Sequence, residues 1–279
     1  MYKRQASGGS AANSAVGFSL LGGSSAFIGR VKNDNFGSLY INDLKEANVD
    51  FISNPVDLGD ETGRCLVYVS PDAQRSMRTY LGAASNLSPD NLNIDAFENS
   101  EIVYMEGYLW DEPVAKEAYK KAFAISKDLE IKSALSLSDK FCVEKWREEF
   151  RGLTENTDIV FGNEEEIMTL YDTNILSNAI SAASNEINLC IITRGEKGSI
   201  IISSDGVEEV PSYPCENVID TTGAGDLFAA GFLYGLSISL RLYECAKLGS
   251  FCASNVINIF GPRPNNNLLQ LVKNEGLLT

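Results

Sequence analysis

Asp220-Thr221-Thr222-Gly223-Ala224-Gly225-Asp226 decides how the rest of the chain is read. Two glycines bracket a small residue, an acid follows at once, and the apolar run Leu227–Leu233 begins immediately after. That run predicts a helix packed into a core, so the glycine turn is its N-terminus. A helix start offers backbone N–H groups without intrahelical partners and the positive end of the dipole. Gly223 and Gly225 let those amides approach an anion with no side chain between.

An anion cradle with a carboxylate beside it suits phosphoryl transfer to a hydroxyl, where positioning and charge stabilisation do most of the work. A purely structural reading stands beside that one. Glycine turns before helices are common, and an acid in a first turn stabilises the dipole by about 0.3–1 kcal/mol with no chemistry.

Composition narrows the field. The chain has 279 residues, 44% hydrophobic and 22% charged, as in ordinary globular proteins. No window approaches the ~18 apolar residues of a membrane span, and the opening residues lack a secretory pattern. A cytoplasmic protein is expected. Net charge is −15, from 38 acids against 23 bases, which disfavours nucleic acid and anionic membranes as partners. The six cysteines are scattered without a CxxC pair, and buried free thiols are expected. Histidine is absent, so Ser-His-Asp and Cys-His catalysis are excluded and carboxylates are left as general bases.

Short apolar runs alternate with helical spacing along most of the chain. Ser25–Ile28, Ile102–Met105, Ile131–Leu135, Asp158–Phe161 and Leu189–Thr193 read as strands. Ala11–Leu21, Asn35–Ala47, Pro113–Ser126, Asp139–Phe150, Asn163–Tyr171, Gly225–Leu236 and Leu240–Ile257 read as helices. This pattern predicts an α/β fold with a mostly parallel sheet covered on both faces. Arg64–Val69 and Met77–Leu81 predict a hairpin on a small separate sheet, and Ser199–Ser203 with Val207–Tyr213 a second hairpin. One α/β domain with a small β appendage, about residues 50–82, accounts for the whole.

At this point the residues resemble a known family, the ribokinase-like (phosphofructokinase-B, pfkB) sugar and nucleoside kinases. Asp220–Asp226 looks like its carboxy-terminal signature, and Gly8-Gly9-Ser10-Ala11-Ala12-Asn13 like its substrate loop. Gly29–Gly37 resembles its second glycine-flanked segment. Asn163-Glu164-Glu165-Glu166 carries its Asn-x-x-Glu pattern, and Thr193–Gly198 its nucleotide-side turn. Five motifs in order make the likeness specific. It implies a three-layer α/β/α fold with a β lid, and an ATP-dependent kinase that phosphorylates an alcohol.

The resemblance also implies site roles. Asp226 would be the general base, with Gly223, Ala224 and Gly225 completing the anion hole. Arg75 falls where adenosine-kinase-like members place a lid arginine, although a lone arginine on a hairpin is usually a solvated surface residue. Gly8, Gly9 and Asn13 would read substrate hydroxyls. Thr193, Gly195, Gly198 and Asn255 would border ATP, against the plain reading of a strand, a turn and a helix. Asn163 and Glu166 would organise Mg²⁺ mainly through water, against the plain reading of a capped acidic first turn. A monovalent cation is a further candidate ligand. Tyr80–Asn86 and Ala134–Asp139 look more like adenosine kinases than fructokinases, which puts adenosine ahead of ribose or fructose. A monomer or homodimer is expected.

Family members carry some tens of residues before the Gly-Gly loop, which here begins at residue 8. Met1–Gln5 fits no element, so a kinase with its front replaced by five foreign residues is expected. Such a loss would leave an open sheet edge and an underfilled core. The rival from another class is therefore an inactive ligand-binding protein on the same fold.

Overall fold

Parallel strands need a crossover to join them, and this chain supplies helices for the purpose. A computed structural model describes residues 5–70, 75–215, 217–265 and 267–278. Met1–Arg4 and the hairpin connection 71–74 lie outside the described residues. Two units divide the chain: Ser88–Ser212 forms one, and the residues up to Leu87 with those from Tyr213 onward form the other.

The opening part of the discontinuous unit runs α1 (Ser10–Leu20), β1 (Ser25–Phe27), α2 (Asn35–Glu46), β2 (Val49–Phe51), β3 (Thr62–Val69) and β4 (Arg75–Gly82). β1 and β2 pair in parallel, with Ser25 opposite Val49. Asp34 caps α2 by accepting the Gly37 amide at 2.8 Å, and it also accepts the Thr62 amide and hydroxyl. One carboxylate therefore sets a helix start and anchors the ribbon that follows. β3 and β4 form the expected antiparallel hairpin as a separate two-stranded sheet, with Leu66, Tyr68 and Met77 exposed.

The continuous unit runs α3 (Ile94–Glu98), β5 (Ile102–Glu106), α4 (Pro113–Asp128), β6 (Lys132–Ser136), α5 (Lys140–Lys145), α6 (Arg147–Thr154), β7 (Ile159–Asn163), α7 (Glu164–Leu170), α8 (Leu176–Glu186), β8 (Cys190–Thr193), β9 (Ser199–Ser203) and β10 (Gly206–Val210). Its six strands lie in the order β10-β9-β8-β7-β6-β5. β5 to β8 are parallel, and β9 and β10 join antiparallel. The apolar runs fill its centre: Ala134, Leu135, Val160, Ile191, Ile192, Ile200 and Ile201 are buried. Near-continuous apolar strands are what cover on both faces requires.

One expected helix, Asp139–Phe150, is two. The chain breaks at Trp146, whose backbone leaves the helical region at φ −126° and ψ 34°. Its indole N–H donates to Asp111 at 2.8 Å, and the Lys116 ammonium lies 3.2 Å from its ring centroid. These tertiary contacts hold the tryptophan where a continuous helix would not leave it. The buried-thiol expectation also holds only in part. Cys142, Cys190, Cys245 and Cys252 are buried, but Cys65 is exposed because it stands on the uncovered ribbon, and Cys215 is half-buried.

The chain ends in α9 (Ala224–Ser237), α10 (Leu242–Val256) and α11 (Leu268–Asn274). Leu227 and Ala230 of α9 pack with Leu248, Phe251 and Cys252 of α10 and with Leu268 of α11. The two longer helices meet backbone to backbone. A Cβ on Gly231 would lie 2.8 Å from the Gly249 Cα, and one on Gly249 would lie 2.6 Å from the Phe228 carbonyl oxygen. Among the described residues no helix is long and apolar enough to cross a membrane. Because backbone cannot step aside for a methyl group, Gly249→Ala is expected to cost about 1–3 kcal/mol in urea unfolding.

Candidate active site

The 220–226 turn is built by Asp220. The residue is 4% exposed, and its carboxylate accepts the Thr222 amide at 2.9 Å, the Thr222 hydroxyl at 2.5 Å and the Gly261 amide at 3.0 Å. Those bonds satisfy the buried charge and tie the turn to the 261–263 segment. Gly223, the N-cap of α9, has φ +83°, and a Cβ there would lie 2.5 Å from the Pro262 carbonyl oxygen. Glycine is required at that position on both counts. Gly225 is glycine in a different setting: it is exposed, and a Cβ on it would meet nothing within 4 Å. The Ala224 amide makes a long bond to the Thr221 carbonyl at 3.3 Å. The amides of Gly225 and Asp226, second and third in the helix, precede the first helical bond, which Leu227 donates to Gly223 at 2.9 Å.

The N-terminus of α1 meets this turn. Ser10 donates its hydroxyl to Asp226 Oδ1 at 2.6 Å, and Asn13 donates its amide to Oδ2 at 2.8 Å. Ser14 donates to the Asp226 main-chain carbonyl at 3.0 Å. Residues 10, 13 and 14 share a helix face at i, i+3 and i+4, which is why three side chains reach one partner. Gly9 caps the helix at φ +90°. Arg263 completes the cluster, donating from Nε to Asn13 Oδ1 and from a terminal nitrogen to the Gly8 carbonyl, both at 3.1 Å. Its guanidinium lies 5.7 Å from the Tyr40 ring centroid. Burial pulls the Arg263 pKa down, against the influence of Tyr40, Asp43 and Asp226. Gly8, Gly9, Asn13 and Asp226 are thus brought together, and Ser10, Ser14 and Arg263 join them. The helical spacing from Ser10 could have revealed the two serines. For Arg263 the sole signal was its place just after the Gly261-Pro262 turn.

In the other unit, Asn163 and Glu166 form a reciprocal capping box on α7. Asn163 Oδ1 accepts the Glu166 amide at 2.9 Å, and Glu166 accepts the Asn163 amide at 2.9 Å and its side-chain N–H at 2.6 Å. Glu166 is 5% exposed, and burial pushes its carboxyl up to about 7, with Asp139 and Glu165 adding to the rise. Among the described residues no cluster of three or more Asp, Glu, Cys or His suits direct metal ligation. A hydrated magnesium ion nevertheless fits this pair. Both side chains carry hard oxygens that already accept the capping bonds, so a cation would reach them through bound water, and a buried carboxylate among acids would gain from it.

Thr193 closes β8, its hydroxyl 3.5 Å from the Gly162 carbonyl. Gly195 (φ +57°) faces open space, while a Cβ on Gly198 (φ +88°) would lie 2.0 Å from the Val210 carbonyl oxygen. Arg194, just before Gly195, bridges Glu164 and Glu209, each at 3.0 Å. Asn255 lies on α10, and its amide donates to the Phe251 carbonyl of its own helix at 3.0 Å. Arg75 begins β4, and its side chain lies outside the described residues.

A family model described as pfkB family carbohydrate kinase matches residues 3–267, and the chain belongs to that family. A structure of adenosine kinase from Sinorhizobium meliloti is 40% identical with a TM-score of 0.94, and the match covers 97% of this chain and 83% of that one. A probable sugar kinase from Rhizobium etli is 38% identical with a TM-score of 0.96, over 98% of this chain and 83% of that one. "Probable fructokinase-6, chloroplastic" from Arabidopsis thaliana is 29% identical over 94% of this chain and 72% of its own length. The fold is ribokinase-like α/β, with a mostly parallel sheet and antiparallel lid strands.

The buried Glu166 sets a pH dependence of stability. Its carboxyl ionises near 4.5 in an unperturbed chain and near 7 in the fold. Between those values the folded protein holds a proton that the unfolded chain has lost, so stability falls as pH rises and levels off above about 7. Urea unfolding without magnesium is expected to show that fall in wild type, and a smaller one in Glu166→Gln, which cannot ionise.

Proposed function

We propose that this chain transfers the γ-phosphoryl group of ATP to the primary hydroxyl of a nucleoside or sugar, with Asp226 as the general base. The observation that carries the reading is the Asp226 carboxylate, gripped by Ser10 and Asn13 at the start of α9. The acceptor hydroxyl gives its proton to Asp226 as its oxygen bonds to the γ-phosphorus. The bond from that phosphorus to the β–γ bridging oxygen breaks, and ADP leaves. An alcohol holds its proton far more tightly than a carboxylate does, so the transfer is late, when bonding to phosphorus has lowered that affinity. The Gly225 and Asp226 amides, with Ala224 alongside, stabilise charge on the moving group. The open surface over Gly225 gives that group room.

Gly8, Gly9 and Asn13 hold the acceptor, and Thr193, Gly195, Gly198 and Asn255 serve ATP, with Arg75 on the phosphates. Asn163 and Glu166 would hold a magnesium ion through water, and that ion would neutralise charge on the donor phosphates. Adenosine is the favoured acceptor, followed by ribose or fructose. Support comes from the 40% identity to the Sinorhizobium meliloti adenosine kinase. The aromatic group of Phe27, Tyr40 and Phe51, with centroids 6.2 Å apart in each pair with Phe27, suits the flank of a nucleobase. No observation favours the alternative of an inactive ligand-binding protein.

Phosphate transfer from ATP to adenosine, ribose and fructose tests this reading. Asp226→Asn keeps the carboxylate's shape but cannot take the proton, and turnover is expected to fall by about 10²–10⁴-fold. Turnover near that of wild type would contradict the role.

A further inference from the structure

An asparagine side chain can exchange its oxygen and nitrogen by a half-turn, so its donor faces a given partner only where the surroundings demand it. Asn13 is 3% exposed and stands between two groups of opposite demand. The ionised carboxylate of Asp226 only accepts hydrogen bonds, and the guanidinium of Arg263 only donates them. One orientation satisfies both, with Nδ2 2.8 Å from Asp226 and Oδ1 3.1 Å from Arg263 Nε. The half-turn would set carbonyl oxygen against carboxylate oxygen and NH₂ against guanidinium. Ser10 cannot impose the same constraint, because a hydroxyl rotates and can donate or accept.

Resting on the phosphotransferase reading above, we propose that Arg263 is a positioning residue that locks Asn13 so that a fixed donor faces the proton-accepting carboxylate of Asp226. Arg263 is itself held in several directions. It donates to the Gly8 carbonyl at 3.1 Å and lies over the Tyr40 ring. Its own segment is tethered where the Gly261 amide bonds Asp220. Asp43 and Asp226 compensate the half-buried positive charge. One side chain thereby couples the Gly8–Gly9 loop, the 261–263 turn and the Asp226 carboxylate through a single amide. Polarisation along that chain of bonds strengthens the donor that Asp226 receives.

Two variants separate charge from geometry. Arg263→Met removes both. Arg263→Lys keeps the charge but cannot supply two donors in a fixed fork. In Arg263→Met, kcat is expected to fall about 10–10³-fold, with the KM for ATP within about twofold of wild type. The acid limb of the kcat/KM profile moves to higher pH, because the carboxylate loses a fixed donor and a nearby cation. In Arg263→Lys, kcat falls at least about tenfold, while the acid limb stays near that of wild type. If Arg263→Met melts below the assay temperature, Arg263→Lys alone decides, and an unchanged kcat there overturns the proposal. A folded Arg263→Met with wild-type kcat and acid limb overturns it too, as does a loss of activity accompanied by a weakened KM for ATP and an unmoved limb. A wild-type protein that phosphorylates none of adenosine, ribose and fructose fails at the earlier step and removes this role with it.

Discussion

Everything about the candidate site depends on how Asp226 is held. Its side chain is clasped from one direction by Ser10 and Asn13, and its own main-chain carbonyl is held by Ser14. Three residues on one face of α1 therefore fix the start of α9, and a rigid element fixes each partner. The placement matters because a proton acceptor is useful only within hydrogen-bond reach of its hydroxyl, and loops alone hold such distances poorly. The same acid sits in the first turn of a helix, where the dipole favours negative charge. A helix start that suits an anion also suits the carboxylate in its first turn.

The packing behind this site explains why a helix so apolar begins so polar. Beyond Asp226, α9 is buried almost throughout, from Leu227 to Leu233. Gly17 of α1 allows close passage, since a Cβ there would lie 2.5 Å from Leu227 Cδ1. α1 and α10 thus press on α9 at glycines, and the N-terminus of α9 inherits the rigidity of that contact. The glycines of the turn divide the labour. Gly223 is needed for its dihedral angle and for Pro262, whereas Gly225 keeps the surface over the amides clear.

Much of this was legible in the sequence, for physical reasons. The buried strands β6 to β9 declared themselves because strands covered on both faces are apolar without interruption. The glycine turn before Leu227 marked α9, and the Gly-Gly loop marked α1. Asn163 and Glu166 at i and i+3 announced a helix start, and their reciprocal capping bonds are what that spacing makes locally. Long-range pairings were not legible. Nothing near Arg263 in sequence names Asn13, 250 positions away, and nothing near Trp146 names Asp111. The break at Trp146 escaped because helical periodicity reports apolar spacing and does not report which aromatic finds a partner across the fold. The exposure of Cys65 escaped for a related reason, since alternation cannot tell a covered sheet from an uncovered ribbon.

On the proposed reaction, the amides at the start of α9 bind the migrating phosphoryl group while Asp226 faces the acceptor hydroxyl. A crystal structure with adenosine, ADP, magnesium and aluminium fluoride, a mimic of that group in flight, measures it directly. Fluoride ligands are expected at about 2.7–3.1 Å from the Gly225 and Asp226 amides, with the acceptor hydroxyl about 2.6–3.2 Å from the Asp226 carboxylate. Aluminium fluoride bound away from those amides, or an acceptor hydroxyl turned away from Asp226, would contradict it.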